Sequence, residues 1–83
     1  MSRNSSRSTS GEPRFRIGQA VRLREPLVQF GLARGAVGAV VMVFTRPRLA
    51  YEVEFVDEDG ATRALATLLP RQISPTVLAP AQS

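Results

Sequence analysis

Five acids within eight residues form the densest group of chemically capable side chains in this sequence: Glu52, Glu54, Asp57, Glu58 and Asp59. Carboxylates in such a run suit a hard divalent cation, which takes oxygen ligands. A calcium loop of the EF-hand kind, however, needs Gly at its sixth position and Glu at its twelfth. Counted from Asp57, Gly60 is fourth and the twelfth residue is Leu68. The plainer reading is a solvated strand face running into a hairpin turn, so neither a metal nor another cofactor is expected. The Gly35 and Gly38 pair invites a second comparison, with loops that cradle phosphate. Such loops are followed by Lys and Ser/Thr and open a helix whose N-terminus faces the anion. Here an apolar, strand-like run follows, and the glycines read as a tight turn or a close backbone approach.

The third chemical group is basic. Arg22, Arg24, Arg46 and Arg48, extended by Arg14 and Arg16, are candidates for a nucleic-acid-binding patch. Modules of that kind add exposed aromatics on which bases stack. Tyr51 and Phe55 read as core, which leaves Phe30 and Phe44, and the acids at 52–59 would repel phosphate. Solvated arginines pairing with Glu52 and Glu54 are the simpler account. Catalysis is poorly supplied: without His, Cys or Lys there is no imidazole base, thiolate or Schiff-base amine. The expectation is a protein that is not an enzyme.

The elements that must position these residues are read from 83 residues, enough for one domain. Residues 1–13 carry nothing apolar after Met1 and are expected to form a disordered Ser/Arg-rich tail. The folded part is expected over 14–79, with 80–83 frayed. A core of this size nets only about 3–5 kcal/mol and leaves no volume for a deep closed pocket, so function belongs on a surface. The formal net charge is +4, and all eleven basic residues are Arg. Half of that charge lies in residues 1–14, leaving the folded part near balance. No apolar run approaches the 18 residues of a membrane span, and a cytoplasmic protein is expected.

Period-two alternation places a strand over Phe15–Arg24, with Ile17, Val21 and Leu23 on one face. An irregular connection follows over Leu27–Ala36, then a strand over Ala39–Phe44 and a turn at Arg46-Pro47-Arg48. The clearest strand is Leu49–Val56, with Tyr51, Val53 and Phe55 inward. Asp57-Glu58-Asp59-Gly60 is a hairpin turn in which Asp-Gly supplies positive φ. A fourth strand covers Ala61–Leu69, a 3₁₀ turn Pro70–Ile73, and a short last strand Thr76–Leu78. This order predicts an all-β fold, a small five-stranded SH3-like barrel.

Gly18-Gln19-Ala20-Val21-Arg22-Leu23, Gly31-Leu32-Ala33-Arg34-Gly35-Ala36-Val37-Gly38-Ala39-Val40-Val41, Tyr51 to Gly60 and Ala66-Thr67-Leu68 together resemble a small bacterial family, domain of unknown function 4926. More loosely, the pattern is similar to the SH3-like domain of nitrile hydratase β subunits and their accessory proteins. The first resemblance implies a small partner protein, in some cases antitoxin-like. The second implies a subunit chaperone for a metalloenzyme.

The strand at 39–44 is apolar on both faces, which one core cannot absorb. Either the 25–36 loop covers its second face through Leu27, Val28 and Phe30, or that face meets a partner. Val40, Met42, Phe44 and Phe30 are therefore the candidate partner-binding residues. The expected function is a non-enzymatic protein-interaction module, an antitoxin-like or accessory partner of a larger bacterial protein. Self-association is compatible with the same face, and nucleic-acid binding through the arginines is the alternative.

Overall fold

The computed structural model describes residues 14–76; the expected tail at 1–13 and the frayed end at 80–83 lie outside the described residues. The chain is all-β, with β1 (Ala20–Leu23), β2 (Val37–Phe44), β3 (Ala50–Val56), β4 (Thr62–Leu68) and β5 (Ile73–Pro75). Two 3₁₀ turns interrupt the run, at Val28–Phe30 and Pro70–Gln72. All pairings are antiparallel, in the order β4-β3-β2-β1-β5. Among the described residues β4 and β5 are the two open edges and do not pair with each other.

Alternation decides what the sheet buries. Tyr51, Val53 and Phe55 of β3 stand opposite Leu68, Ala66 and Ala64 of β4, and all six are buried. Across the other side of β3, Val53 meets Val40 of β2. Val21 and Leu23 of β1, Ile73 of β5 and Phe15 complete the core. Tyr51 is fully buried, and its hydroxyl accepts hydrogen bonds from the backbone N–H groups of Arg14 (2.6 Å) and Phe15 (3.3 Å). The Phe15 ring packs edge-on against Tyr51, with centroids 5.1 Å apart. One aromatic thus fastens the segment that leads into the sheet.

The two glycines at the entrance of β2 do different jobs. Gly35 sits at φ 93°, a left-handed turn conformation. Gly38 lies against β3: a Cβ there would stand 2.7 Å from the Glu54 carbonyl oxygen and from Val53 Cγ1.

Three expectations need correction. The first strand begins at Ala20, because Gly18 turns the chain at φ 93°. Ile17 is consequently 65% exposed, and Phe15 takes the buried place. Ile73, expected to close the second 3₁₀ turn, instead opens β5 because it is buried and pairs with Leu23, and the strand expected over Thr76–Leu78 runs outside the described residues beyond Thr76. Pro75 is tolerated in β5 because that strand is an edge. The acidic turn falls where expected, but only Gly60 of the Asp-Gly pair has positive φ, and Asp57 Oδ1 accepts from the N–H groups of Asp59 and Ala61.

The connection from β1 to β2 is tied at its base. Leu27 and Leu32 exchange backbone hydrogen bonds of 2.9 and 3.1 Å, and both side chains enter the core. Gly31, left-handed at φ 67°, ends the 3₁₀ turn between them. Its carbonyl accepts from Arg63 Nη2 of β4 at 2.9 Å, which links the loop to that edge of the sheet. Of the three residues expected to cover β2, only Leu27 is buried; Val28 and Phe30 are exposed.

Candidate functional site

A β-bulge settles the two-sided apolar strand. Val40 faces Val53 and Met42 faces Glu52, so Val41 is the extra residue and the alternation changes phase across it. Gly38, Val40 and Val43 consequently turn inward, while Ala39, Met42 and Phe44 turn outward. Neither of the two simple faces, 39-41-43 or 40-42-44, exists as such. Val40 is fully buried and cannot contact a partner, which corrects its place among the binding candidates. Met42, Phe44 and Val41 are exposed side by side at 46%, 36% and 37%.

Directly opposed residues of an antiparallel pair share a face. The outer face can therefore be read across strands: Met42, Glu52 and Thr67 form one row, and Ala39, Glu54 and Leu65 the next. Leu65 is half exposed. Glu54 accepts a hydrogen bond from Thr62 Oγ1 on β4, a cross-strand partner rather than the arginine expected from the sequence. This face is thus apolar with two carboxylates set into it. Phe30 is exposed in the 3₁₀ turn of the β1–β2 connection, not in a strand of this face.

The arginines gather elsewhere. A cavity of about 450 Å³ is lined by Arg22, Leu23, Arg24, Arg34, Gly35 and Ser74. A second, of about 340 Å³, is lined by Arg14, Arg24, Arg48, Leu49, Leu69, Pro70 and Arg71. Arg24 belongs to both, and among the described residues no acid lines either.

Several of the contributors are placed by backbone or side-chain tethers. Arg22 projects from the outer face of β1 and its Nε donates to Ser74 Oγ of β5 at 3.3 Å. The Arg24 N–H donates to the Gln72 carbonyl at 2.8 Å, and Gly35 N–H to the Leu23 carbonyl at 2.9 Å, which brings Arg34 alongside. Arg71 lies in the second 3₁₀ turn, whose geometry is held by Gln72 Oε1 accepting from the Leu69 N–H at 2.8 Å. The neighbouring acid, Glu25, has an oxygen engaged by Gln72 Nε2 at 3.0 Å.

Of the expected basic patch, Arg22, Arg24 and Arg48 come together and Arg46 lines neither cavity. Arg34 and Arg71 were missed because they sit in turns, outside any strand alternation. Among the described residues no group of three or more acids is arranged to hold a metal ion, and no helix is long and apolar enough to cross a membrane.

The family model described as domain of unknown function (DUF4926) matches residues 19–75. No curated protein and no solved structure matches.

Proposed function

We propose that this chain, which belongs to the family described as a domain of unknown function (DUF4926), is a non-enzymatic module that binds a protein partner through the outer face of its sheet. The observation that carries this reading is the run of exposed apolar residues Val41, Met42 and Phe44, which the bulge turns outward instead of into the core. Exposed apolar groups of this kind gain from being covered, and Met adapts its shape to what covers it. Glu52 and Glu54 lie in the same face, so the matching surface is apolar with Lys or Arg at its rim. Two copies meeting through this face would oppose carboxylate to carboxylate, which disfavours self-pairing there.

We read the sheet as a coiled SH3-like barrel. The strand order, the long first connection and the 3₁₀ turn before the last strand support that reading. A rigid sheet presenting one apolar face suits an accessory or antitoxin-like partner of a larger bacterial protein acting in the cytoplasm.

The test is co-purification from the native host using the full chain and its Met42→Asp and Phe44→Asp variants, at low and high salt. One protein should be recovered at fixed stoichiometry, survive high salt, and be lost with either variant while the melting temperature holds. Recovery that is indifferent to both variants, or salt-sensitive recovery of nucleic acid alone, refutes the reading. Recovery of metalloenzyme subunits would place the chain as a subunit chaperone.

A further inference from the structure

The two adjoining arginine-lined cavities are not used by the outer-face reading and stand independently of it. We propose that they form a groove for an extended acidic peptide segment that carries an apolar side chain among its carboxylates. Six exposed arginines, Arg14, Arg22, Arg24, Arg34, Arg48 and Arg71, line the two cavities from five separate stretches of chain. Like charges brought this close repel unless an anion lies among them, and guanidinium is the group whose forked donors match a carboxylate or phosphate in two bonds.

The lining separates peptide from nucleic acid. The larger cavity is mainly polar, with the Ser74 hydroxyl beside the arginines and Leu23 its one large apolar residue, and suits an anionic group. The smaller has Leu49, Leu69 and Pro70 between its arginines, a floor for one apolar side chain. Among the described residues no aromatic lines either cavity, so bases would find no aromatic stacking platform of the kind that single-strand binders supply. Arg24, shared by both, is where the two halves of a bound segment would be held together.

The probe is a fluorescein-labelled 12-residue peptide of Glu and Asp with two central Leu, followed by anisotropy with the full chain. Comparison probes are the same peptide with Ser for Leu, a Gln/Asn version, and an oligo-dT of equal length. The acidic Leu peptide should bind best, the Ser peptide several-fold more weakly, and the neutral peptide not measurably. Arg24→Gln should cost about ten-fold or more, because a charge-assisted bond is lost in both cavities. Arg71→Gln should cost several-fold. Arg16→Gln, which changes the same net charge outside the groove, should cost less than two-fold, and Met42→Asp should leave binding unchanged. Equal losses in Arg16→Gln and Arg24→Gln, or no binding of the acidic peptide at millimolar concentration, would overturn the proposal. Tighter, Arg24-dependent binding of oligo-dT would overturn it in favour of nucleic acid. Sedimentation of the chain alone completes the test. Salt-sensitive self-association abolished by both Arg24→Gln and Glu58→Lys would assign the groove to the acidic hairpin of a second copy instead.

Discussion

Replacing Gly38 by Ala tests the packing of β2 on β3 most directly. The added Cβ would stand 2.7 Å from the Glu54 carbonyl oxygen, 2.7 Å from Val53 Cγ1 and 2.9 Å from Phe55 Cδ1. Carbon contacts normally begin near 3.5 Å, so strands or side chains must yield by more than half an ångström. The carbonyl oxygen cannot swing away as a side-chain tip could, and Val53 and Phe55 are both buried in a close-packed core. Overpacking of this kind costs about 1–3 kcal/mol, and three constrained neighbours put Gly38→Ala at the upper end. A domain of this size holds only about 3–5 kcal/mol in total. With a shift of about 4–8 °C per kcal/mol, the melting temperature should fall by about 10–20 °C.

Gly31 is the control, because its demand is conformational rather than spatial. It is left-handed at φ 67°, and its nearest foreign atom would be Arg63 Nη2 at 3.6 Å, an ordinary contact. Asn, which tolerates the left-handed region, should be accepted at Gly31 better than Ala. At Gly38 the larger Asn should be worse than Ala. Far-UV circular dichroism is the assay, since the chain has one Tyr and no Trp. A Gly38→Ala variant melting within about 3 °C of the parent, or the same Ala/Asn order at both glycines, would refute the close approach of the two strands.

Other substitutions probe the remaining contacts. Phe55→Ala should cost about 3–5 kcal/mol and leave the chain largely unfolded by circular dichroism, whereas Glu54→Ala, at the surface, should stay within about 0.5 kcal/mol. Tyr51→Phe leaves the Arg14 and Phe15 N–H groups without their acceptor, at about 1–2 kcal/mol, and hydrogen exchange should report faster exchange of those two amides. Calcium, magnesium or manganese at millimolar concentration should leave the melting temperature unchanged, because the Asp57 carboxylate already serves two backbone donors of its turn; a rise that vanishes in Asp57→Asn would count against this.

The sheet was legible where the local signal and the tertiary demand agree. Tyr51, Val53 and Phe55 alternate cleanly with Glu52 and Glu54, and β3 follows that pattern because the core covers one side of it alone. The strand expected over Ala61–Leu69 is found as β4, but which of its sides is inward, that of Ala64, Ala66 and Leu68, is fixed by the pairing with β3. The ends of the sheet were less legible. Ile17 fits the alternation of β1 but precedes a glycine whose positive φ breaks the extended run, and periodicity alone carries no such information. Ile73 looked like the end of a turn because Pro70 precedes it, yet burial against Leu23 makes it a strand residue.

The candidate surfaces were the least legible part, for two separate physical reasons. The apolar face depends on a single extra residue. An apolar run such as Ala39–Phe44 gives no sign of where a bulge falls, because every position is acceptable inside or outside. The pairing with Glu52 and Glu54 decides it: these carboxylates must face water, their opposite numbers Met42 and Ala39 must share that side, and Val40 is forced inward opposite Val53. The constraint therefore sits on β3 and is felt on β2. The arginine surface fails to show for the opposite reason, since it has no local pattern at all. Arg22 comes from a strand, Arg34 and Arg48 from turns, Arg71 from a 3₁₀ turn and Arg14 from a segment pinned by Tyr51. Only the order β4-β3-β2-β1-β5, which sets β5 beside β1, brings Arg22 and Ser74 into one cavity across 52 residues of chain. A patch built this way depends on the fold as a whole.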